Sequence, residues 1–296
     1  MHIPVLLDES IDGLGIRSGD IVVDGTLGGG GHTFEVIKRF GSGVKIIGLD
    51  LDKDAIERAR TKIGELPHDT IFRTSGFQDM DQVLEELNII HVDRILLDLG
   101  ISSFQLEVAG RGFSFMKDEP LLMTMKKNPS DDDLTARDIV NTWEEKNLAD
   151  VIYGFGEEKY SRKIAKAIVE ARVEKSIETT FDLVKIIENA VGKSYQRLKI
   201  HPATKTFQAL RIATNSELSN LETAIEKGFN RLSVGGRFAI ISFHSLEDRI
   251  AKKAFVNLKQ KGYANIITKK PIVPSTDEIK RNPRSRSSKL RIIEKI

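Results

Sequence analysis

A chain of 296 residues, 40% apolar and 30% charged, can bury a large core and has room for two domains, which sets aside fibrous and disordered classes. It has no cysteine, so disulfides, thiolate catalysis and cysteine-based zinc sites are excluded. No apolar run is long enough to span a bilayer, and the opening Met1-His2-Ile3-Pro4 lacks the basic segment and apolar core of a secretory signal; no membrane association and a cytoplasmic location are expected.

The first predicted element is a buried strand over 21–24, ending in Asp24 and running into Gly25-Thr26-Leu27-Gly28-Gly29-Gly30-Gly31-His32. A helix over 32–40 and a second strand over 45–50, ending in Asp50, complete a βαβ unit of nucleoside-binding type. The glycines allow close backbone approach, the helix N-terminus offers N–H groups to an anion, and Asp50 is placed to accept from a ribose diol. A triphosphate loop would need a lysine where Gly31 stands, and a dinucleotide fingerprint would need a glycine where Thr33 stands. What remains suits S-adenosylmethionine; the plainer reading is an ordinary glycine-rich turn.

Helices over 54–64 and 79–87 then alternate with strands over 70–74 and 94–99, the pattern of a parallel sheet covered on both faces. Strand signals vanish between about 109 and 205. Thr135-x-x-Asp138 and Thr179-x-x-Asp182 read as capping boxes, and the run 162–173 sets Ile164, Ile168 and Ala171 on one helical face. A helical stretch over 205–232 leads to a turn at Gly235-Gly236, a strand over 237–242, a helix over 247–258 and strands over 265–268 and 288–293. The last two are close enough in sequence to pair. The expected fold is α/β: a Rossmann-like, mostly parallel seven-stranded sheet built from 1–108 and 206–296 that holds the S-adenosylmethionine site, with an all-helical insertion over 109–205 expected to recognise RNA.

The net charge of +2 hides an uneven distribution. Residues 1–158 carry −14, 159–211 carry +7 and 236–296 carry +10. Two basic blocks point to a polyanion, most simply a nucleic acid, against the alternative of solvated helix faces. The segment 280–289 is rich in arginine, which suits phosphate, and shows no helical periodicity.

Ligands of open α/β sheets sit beyond the carboxyl ends of the strands. Those ends supply Asp24, Asp50, Ser75-Gly76-Phe77, Asp98 with Leu99-Gly100-Ile101-Ser102-Ser103, and Ser242-Phe243-His244. Phe77 is a candidate to stack on a purine or to join the core. Asp98 closes an apolar run, where a carboxylate without a partner is costly, so a ligand-binding or hydrogen-bonding role is expected. His244, Glu247 and Asp248 have the composition of a metal site, but Ser245-x-x-Asp248 is also a capping box, and no metal is expected. The face Phe207, Leu210, Thr214 and Leu218 reads as packing, with Lys205 and Arg211 beside it able to meet phosphate.

Asp24–His32, Leu96-Leu-Asp-Leu-Gly-Ile-Ser-Ser103, Arg111-Gly-Phe-Ser-Phe115, His201-Pro-Ala-Thr-Lys-Thr-Phe-Gln208, Ile241-Ser-Phe-His-Ser-Leu-Glu-Asp-Arg249 and Asn282-Pro-Arg-Ser-Arg-Ser occur in one order. Together they resemble the bacterial 16S ribosomal RNA cytosine-N4 methyltransferase family (MraW/RsmH) over essentially the whole chain. The resemblance implies S-adenosylmethionine as methyl donor, and a 16S rRNA cytidine of the small ribosomal subunit as acceptor. It also implies cofactor contacts at Gly30, Gly31, His32, Asp50, Phe77, Asp98 and Gln105. One segment departs from it: where the family usually has Leu-Asp-Met-Arg-Met-Asp, this chain has Leu121-Leu-Met-Thr-Met-Lys126. Asp98, or a backbone carbonyl of Leu99 or Gly100, is the expected acceptor for the amine protons. A nicotinamide-dependent oxidoreductase and a non-enzymatic RNA-binding assembly factor are the competing classes.

Overall fold

The structure is a computed structural model that describes residues 3–65, 67, 69–127, 129–192, 195 and 200–296. Met1 and His2, and the basic residues Lys193, Arg197 and Lys199 of the 159–211 block, lie outside the described residues. The contacts divide the chain into two units, Met1–Gly100 with Leu218–Ile296, and Ile101–Glu217.

The first unit is a seven-stranded sheet in the order β3-β2-β1-β4-β5-β7-β6. Its strands are β1 (Ile21–Asp24), β2 (Lys45–Asp50), β3 (Thr70–Thr74), β4 (Val92–Asp98), β5 (Leu232–Ser242), β6 (Ala264–Ile266) and β7 (Lys289–Lys295). The first five are mutually parallel, and β7 runs antiparallel to both β5 and β6. The strands read as continuous apolar runs because both faces are covered. Val23, Ile47, Ile95, Leu97, Phe238 and Ile240 meet α4 (Met80–Glu86), α11 (Glu217–Arg231) and α12 (Ser245–Gln260). The alternate positions Val22, Ile46, Leu96, Ala239 and Ile241 meet α1 (Leu7–Leu14) and α2 (Gly31–Phe40). Between β2 and β3 runs α3 (Lys53–Ile63), capped by Asp52.

Three details differ from the sequence reading. β5 begins at Leu232, so the Gly235-Gly236 pair lies inside it, at a register shift against β4. The helix expected over 205–232 is two helices, α10 (Thr204–Asn215) and α11, broken at Ser216, whose φ of 50° is left-handed. The N-cap of α12 is His244, whose Nδ1 accepts from the Glu247 N–H at 3.4 Å; Ser245 is already helical.

The second unit is helical: α5 (Ser103–Glu107), α6 (Ala136–Thr142), α7 (Glu145–Gly156), α8 (Ser161–Glu174), α9 (Thr180–Val191) and α10. Both expected capping boxes form, at Thr135 and at Thr179. Ile139, Leu148, Ile152, Ile164, Ile168, Leu183, Ile187, Phe207 and Leu210 fill its core. The contacts place α10 in this unit, beyond the 205/206 boundary read from sequence, because α10 packs on α7. There a Cβ on Gly156 would lie 2.5 Å from the Lys205 carbonyl, and Gln208 Nε2 donates to the Phe155 carbonyl at 3.0 Å.

The departing segment is tied to this same unit. Arg111, buried, donates to the Met125 carbonyl at 2.7 Å, and Asn215 both donates to the Met123 carbonyl and accepts from the Met125 N–H. Lys126 pairs with Asp133.

Candidate functional site

The strand order reverses between β1 and β4, which sends the chain in opposite directions from the carboxyl ends of two adjacent strands. Asp24 ends β1 and Asp98 ends β4. The loop after Asp24 is held from both sides. Thr26 Oγ1 accepts from the Asp98 N–H at 2.6 Å, and the Gly28 N–H donates to Asp50 Oδ2 at 2.8 Å. Asp50 Oδ1 accepts from the Asp52 N–H at 2.8 Å, so one carboxylate fixes both the glycine loop and the start of α3. Each of its oxygens keeps a further lone pair for a ligand. Burial pushes the Asp50 pKa up, against the two N–H donors that stabilise its charge.

The four glycines are not equivalent. Gly30, at φ 71°, caps α2, and a Cβ there would lie 2.9 Å from Ala59 Cβ; a Cβ on Gly31 would lie 2.4 Å from Pro4 Cγ. These two are glycine because protein packs on them. A Cβ on Gly29 would meet nothing within 4 Å, so the open space of the loop lies there. No side chain caps α2, and its first turn contains no acid, which leaves its positive end available to a carboxylate.

His32, buried in that first turn, links the loop to Asp98. Its Nε2 lies 3.1 Å from the Val5 carbonyl, an acceptor, so in the neutral ring the proton sits on Nε2 and Nδ1 faces Asp98 Oδ2 at 3.7 Å. Asp98 Oδ1 is buried without a hydrogen-bond partner among the described residues. Burial drives the Asp98 pKa well above the usual carboxylate range, and the charges of Asp24 and Glu247 push it further. Asp24 is also raised, to about 6, by burial in spite of the hydrogen bonds from Thr33 Oγ1 (2.7 Å) and the Thr26 N–H (3.2 Å). Two strained carboxyl groups at a sheet's switch point have the electrostatic profile of a functional site. An orphaned buried carboxylate oxygen, a carboxylate facing a glycine loop and an uncapped helix N-terminus together suit a zwitterionic nucleoside. The carboxylate facing the loop accepts from a diol and the helix N-terminus receives a carboxylate, while the orphaned oxygen at the switch point is left to accept from an N–H placed beside the donor.

Of the remaining residues singled out from sequence, Phe77 opens the 3₁₀ turn after β3, half-buried against the core. Gln105 lies in the helical unit. There its Oε1 accepts from the Ser102 N–H at 2.8 Å, closing the capping box of α5. Of the possible metal ligands, His244 and Glu247 face each other, His244 Nε2 lying 3.2 Å from Glu247 Oε1, and only Asp248 is drawn away. Glu247 Oε2 accepts from the Phe243 N–H at 2.8 Å, and Asp248 pairs with Arg291 at 2.6 Å and Lys289 at 3.2 Å. Lys289 is therefore not a free cation of the C-terminal segment. Arg284 and Arg286 are exposed on the 3₁₀ turn Pro283–Ser287, a turn where the sequence shows no periodicity. The structural roles of His32 toward Asp98, and of Asp50 toward Gly28, were not visible in sequence, because only the sheet brings these partners together.

A family model described as the MraW methylase family matches residues 1–296. A Clostridium botulinum (strain Kyoto / Type A2) protein named ribosomal RNA small subunit methyltransferase H is 47% identical, over 100% of this chain and 99% of its own. A Syntrophus aciditrophicus protein of the same name is 44% identical, over 100% and 98%. Among solved structures, an rRNA methylase from Streptococcus thermophilus covers 100% of this chain and 99% of its own at 15% identity, with a TM-score of 0.45.

Proposed function

We propose a function from one premise: this chain belongs to the MraW methylase family and is a methyltransferase. Its donor is S-adenosylmethionine, and its acceptor is the exocyclic N4 of a cytidine in the 16S rRNA of the small ribosomal subunit. The acceptor class is supported by full-length relatives named for the small-subunit rRNA. The observation that carries the site is the buried, unpartnered Asp98 Oδ1 at the switch point, beside the Asp24 loop. A non-enzymatic assembly factor would leave that strained carboxyl without a role. An rRNA substrate supports a cytoplasmic location, and the chemistry calls for no metal.

When bound, S-adenosylmethionine supplies an electrophilic methyl group on its sulfonium. Asp50 would hold the ribose diol with the lone pairs not used by Gly28 and Asp52. The N–H groups of Gly31 and His32 would receive the amino-acid end, next to Gly30, whose own N–H donates to the Leu27 carbonyl, and Phe77 would border the adenine. Asp98 faces the acceptor. The N4 lone pair of cytosine is delocalised into the ring, and a carboxylate accepting an N4 proton restores part of it. As the N–C bond forms the methyl–sulfur bond breaks, its electron pair staying on sulfur as a neutral thioether, and the positive charge passes to N4; Asp98 would stabilise it and take the released proton. Holding nitrogen and methyl in line supplies a further ~7–11 kcal/mol. The base must leave its stack to reach Asp98, which favours an accessible rRNA segment over a sealed duplex.

Incubating the protein with small ribosomal subunits and isotopically labelled S-adenosylmethionine, then digesting the 16S rRNA for mass spectrometry, tests this reading. Label in N4-methylcytidine is expected; label elsewhere, or none, removes it. Asp50→Ala should weaken S-adenosylmethionine binding by about 1.5–3 kcal/mol, from loss of charge-assisted bonds and release of the glycine loop. Asp50→Asn, which keeps one acceptor oxygen, should lose less. Calorimetric titration of the folded variants checks both, and unchanged affinity would take Asp50 out of the site.

A further inference from the structure

The α7–α8 hairpin of the helical unit carries a surface that its own packing does not explain. Lys159, Arg162, Lys163 and Lys166 are all exposed, with no acid between 159 and 166. Lys166 approaches Glu170 at 3.7 Å, whereas Lys159, Arg162 and Lys163 have no partner among the described residues. Two tyrosines sit at the same end of the hairpin. Tyr153, one turn before the end of α7, is 65% exposed, and Tyr160, just before α8, is 42% exposed, with its ring edge-on to Tyr195. An exposed aromatic of this size gains nothing for a fold it does not pack into.

The charge order of α8 adds a second argument. Arg162, Lys163 and Lys166 lie in its first half, where the peptide dipole is positive, and no acid occupies its first turn, whereas its last turn carries Arg172 beside Glu174. The preceding residue, Tyr160, makes no side-chain cap. A cationic first turn without an acid disfavours the helix that carries it, so these cations add nothing to its stability. Phosphates laid along Lys159–Lys166 would neutralise the excess, and unstacked bases would cover the tyrosine rings.

We infer that the Lys159–Lys166 face with Tyr153 and Tyr160 binds a single-stranded segment of the RNA substrate, through phosphate contacts at Arg162 and Lys163 and base stacking on Tyr153. The inference rests on the rRNA acceptor proposed above and names the surface that holds it. Cations positioned this way fix the strand without reading its sequence.

The test uses full-length protein, a fluorescent single-stranded RNA oligonucleotide of 16S sequence and inorganic polyphosphate. Arg162→Gln/Lys163→Gln should bind the oligonucleotide about twenty-fold more weakly at 0.1 M salt, and the slope of log affinity against log salt should flatten by ~1.4, two contacts at ~0.7 each. Tyr153→Ser should lose about five-fold or more on RNA and nothing on polyphosphate, which has no bases to stack. Both variants should keep their S-adenosylmethionine affinity, and the double variant should melt no lower than wild type, since it relieves the dipole conflict. An unchanged affinity and salt slope beside a wild type that methylates rRNA overturns the inference alone. So does a loss of binding to whole subunits with free RNA unaffected, which would assign the face to a ribosomal protein, or a fall in melting temperature that accounts for the lost binding. A wild type that neither binds the oligonucleotide nor methylates rRNA removes the proposed function as well.

Discussion

Asp98→Asn should lower kcat by about 10²–10³-fold while the affinities for S-adenosylmethionine and RNA stay within a few-fold of wild type. The substitution keeps the shape of the side chain and leaves the main-chain bond from the Asp98 N–H to Thr26 Oγ1 intact, so the loop geometry survives. It removes a charge that matters most when N4 becomes positive, and such an interaction appears in kcat rather than in binding. The pH profile separates two uses of this carboxyl. If the carboxylate accepts the N4 proton, wild-type kcat rises with pH through the Asp98 pKa, and burial sets that midpoint well above the ordinary carboxylate range. A protonated Asp98 donating to the base would give the opposite slope. Asp98→Asn should abolish the ascending limb. Equal losses in donor affinity and rate, with the limb unchanged, would make Asp98 a donor ligand with no separate chemical role.

The sequence was most legible where one local pattern had one physical outcome. The strands at 21–24, 45–50 and 70–74 coincide with β1, β2 and β3 residue for residue, because each is a short apolar run stopped by an acid, a turn or a glycine. The boxes at Thr135 and Thr179 form because a hydroxyl and a carboxylate three residues apart meet on the first turn whatever the surroundings. Legibility failed where a long-range contact decided. Ser216 breaks a continuous helical pattern and takes a left-handed φ just before Glu217, which forms a two-bonded ion pair with Arg211. His244 displaces Ser245 as cap because Glu247, not Asp248, turns back to the helix start; Asp248 is drawn off by Arg291 on β7. At the site, sequence identified the carboxylates at the strand ends. It could not show that His32 would stand between Val5 and Asp98, or that Asp50 would hold the loop that Asp24 opens.

The raised carboxyls at the switch point also set a stability signature. Asp24 titrates near pH 6 in the folded protein and near 3.9 when unfolded. Below about pH 4 both states hold the proton and the buried neutral acid costs nothing extra. Between about 4 and 6 the unfolded chain has released its proton while the folded one keeps it, so stability falls as pH rises. Two pKa units correspond to about 3 kcal/mol, lost once the pH exceeds the folded value. Asp98 acts in the same direction at higher pH. Carboxylates with lowered pKa, such as Asp248, whose burial is outweighed by Arg291 and Lys289 together, act oppositely, so total stability is a poor readout. The difference between wild type and Asp24→Asn isolates the term. Asn can still accept one of the bonds from Thr33 and Thr26 but cannot ionise. In urea titrations without donor, the two proteins should be close in stability near pH 4, and the variant should lead by about 3 kcal/mol near pH 7.5. A difference independent of pH, or one favouring wild type at high pH, would show that Asp24 is not strained. The expected sign means that the fold tolerates a charge it would be more stable without, at the end of the strand beside Asp98, where a negative field assists the build-up of positive charge on the acceptor nitrogen.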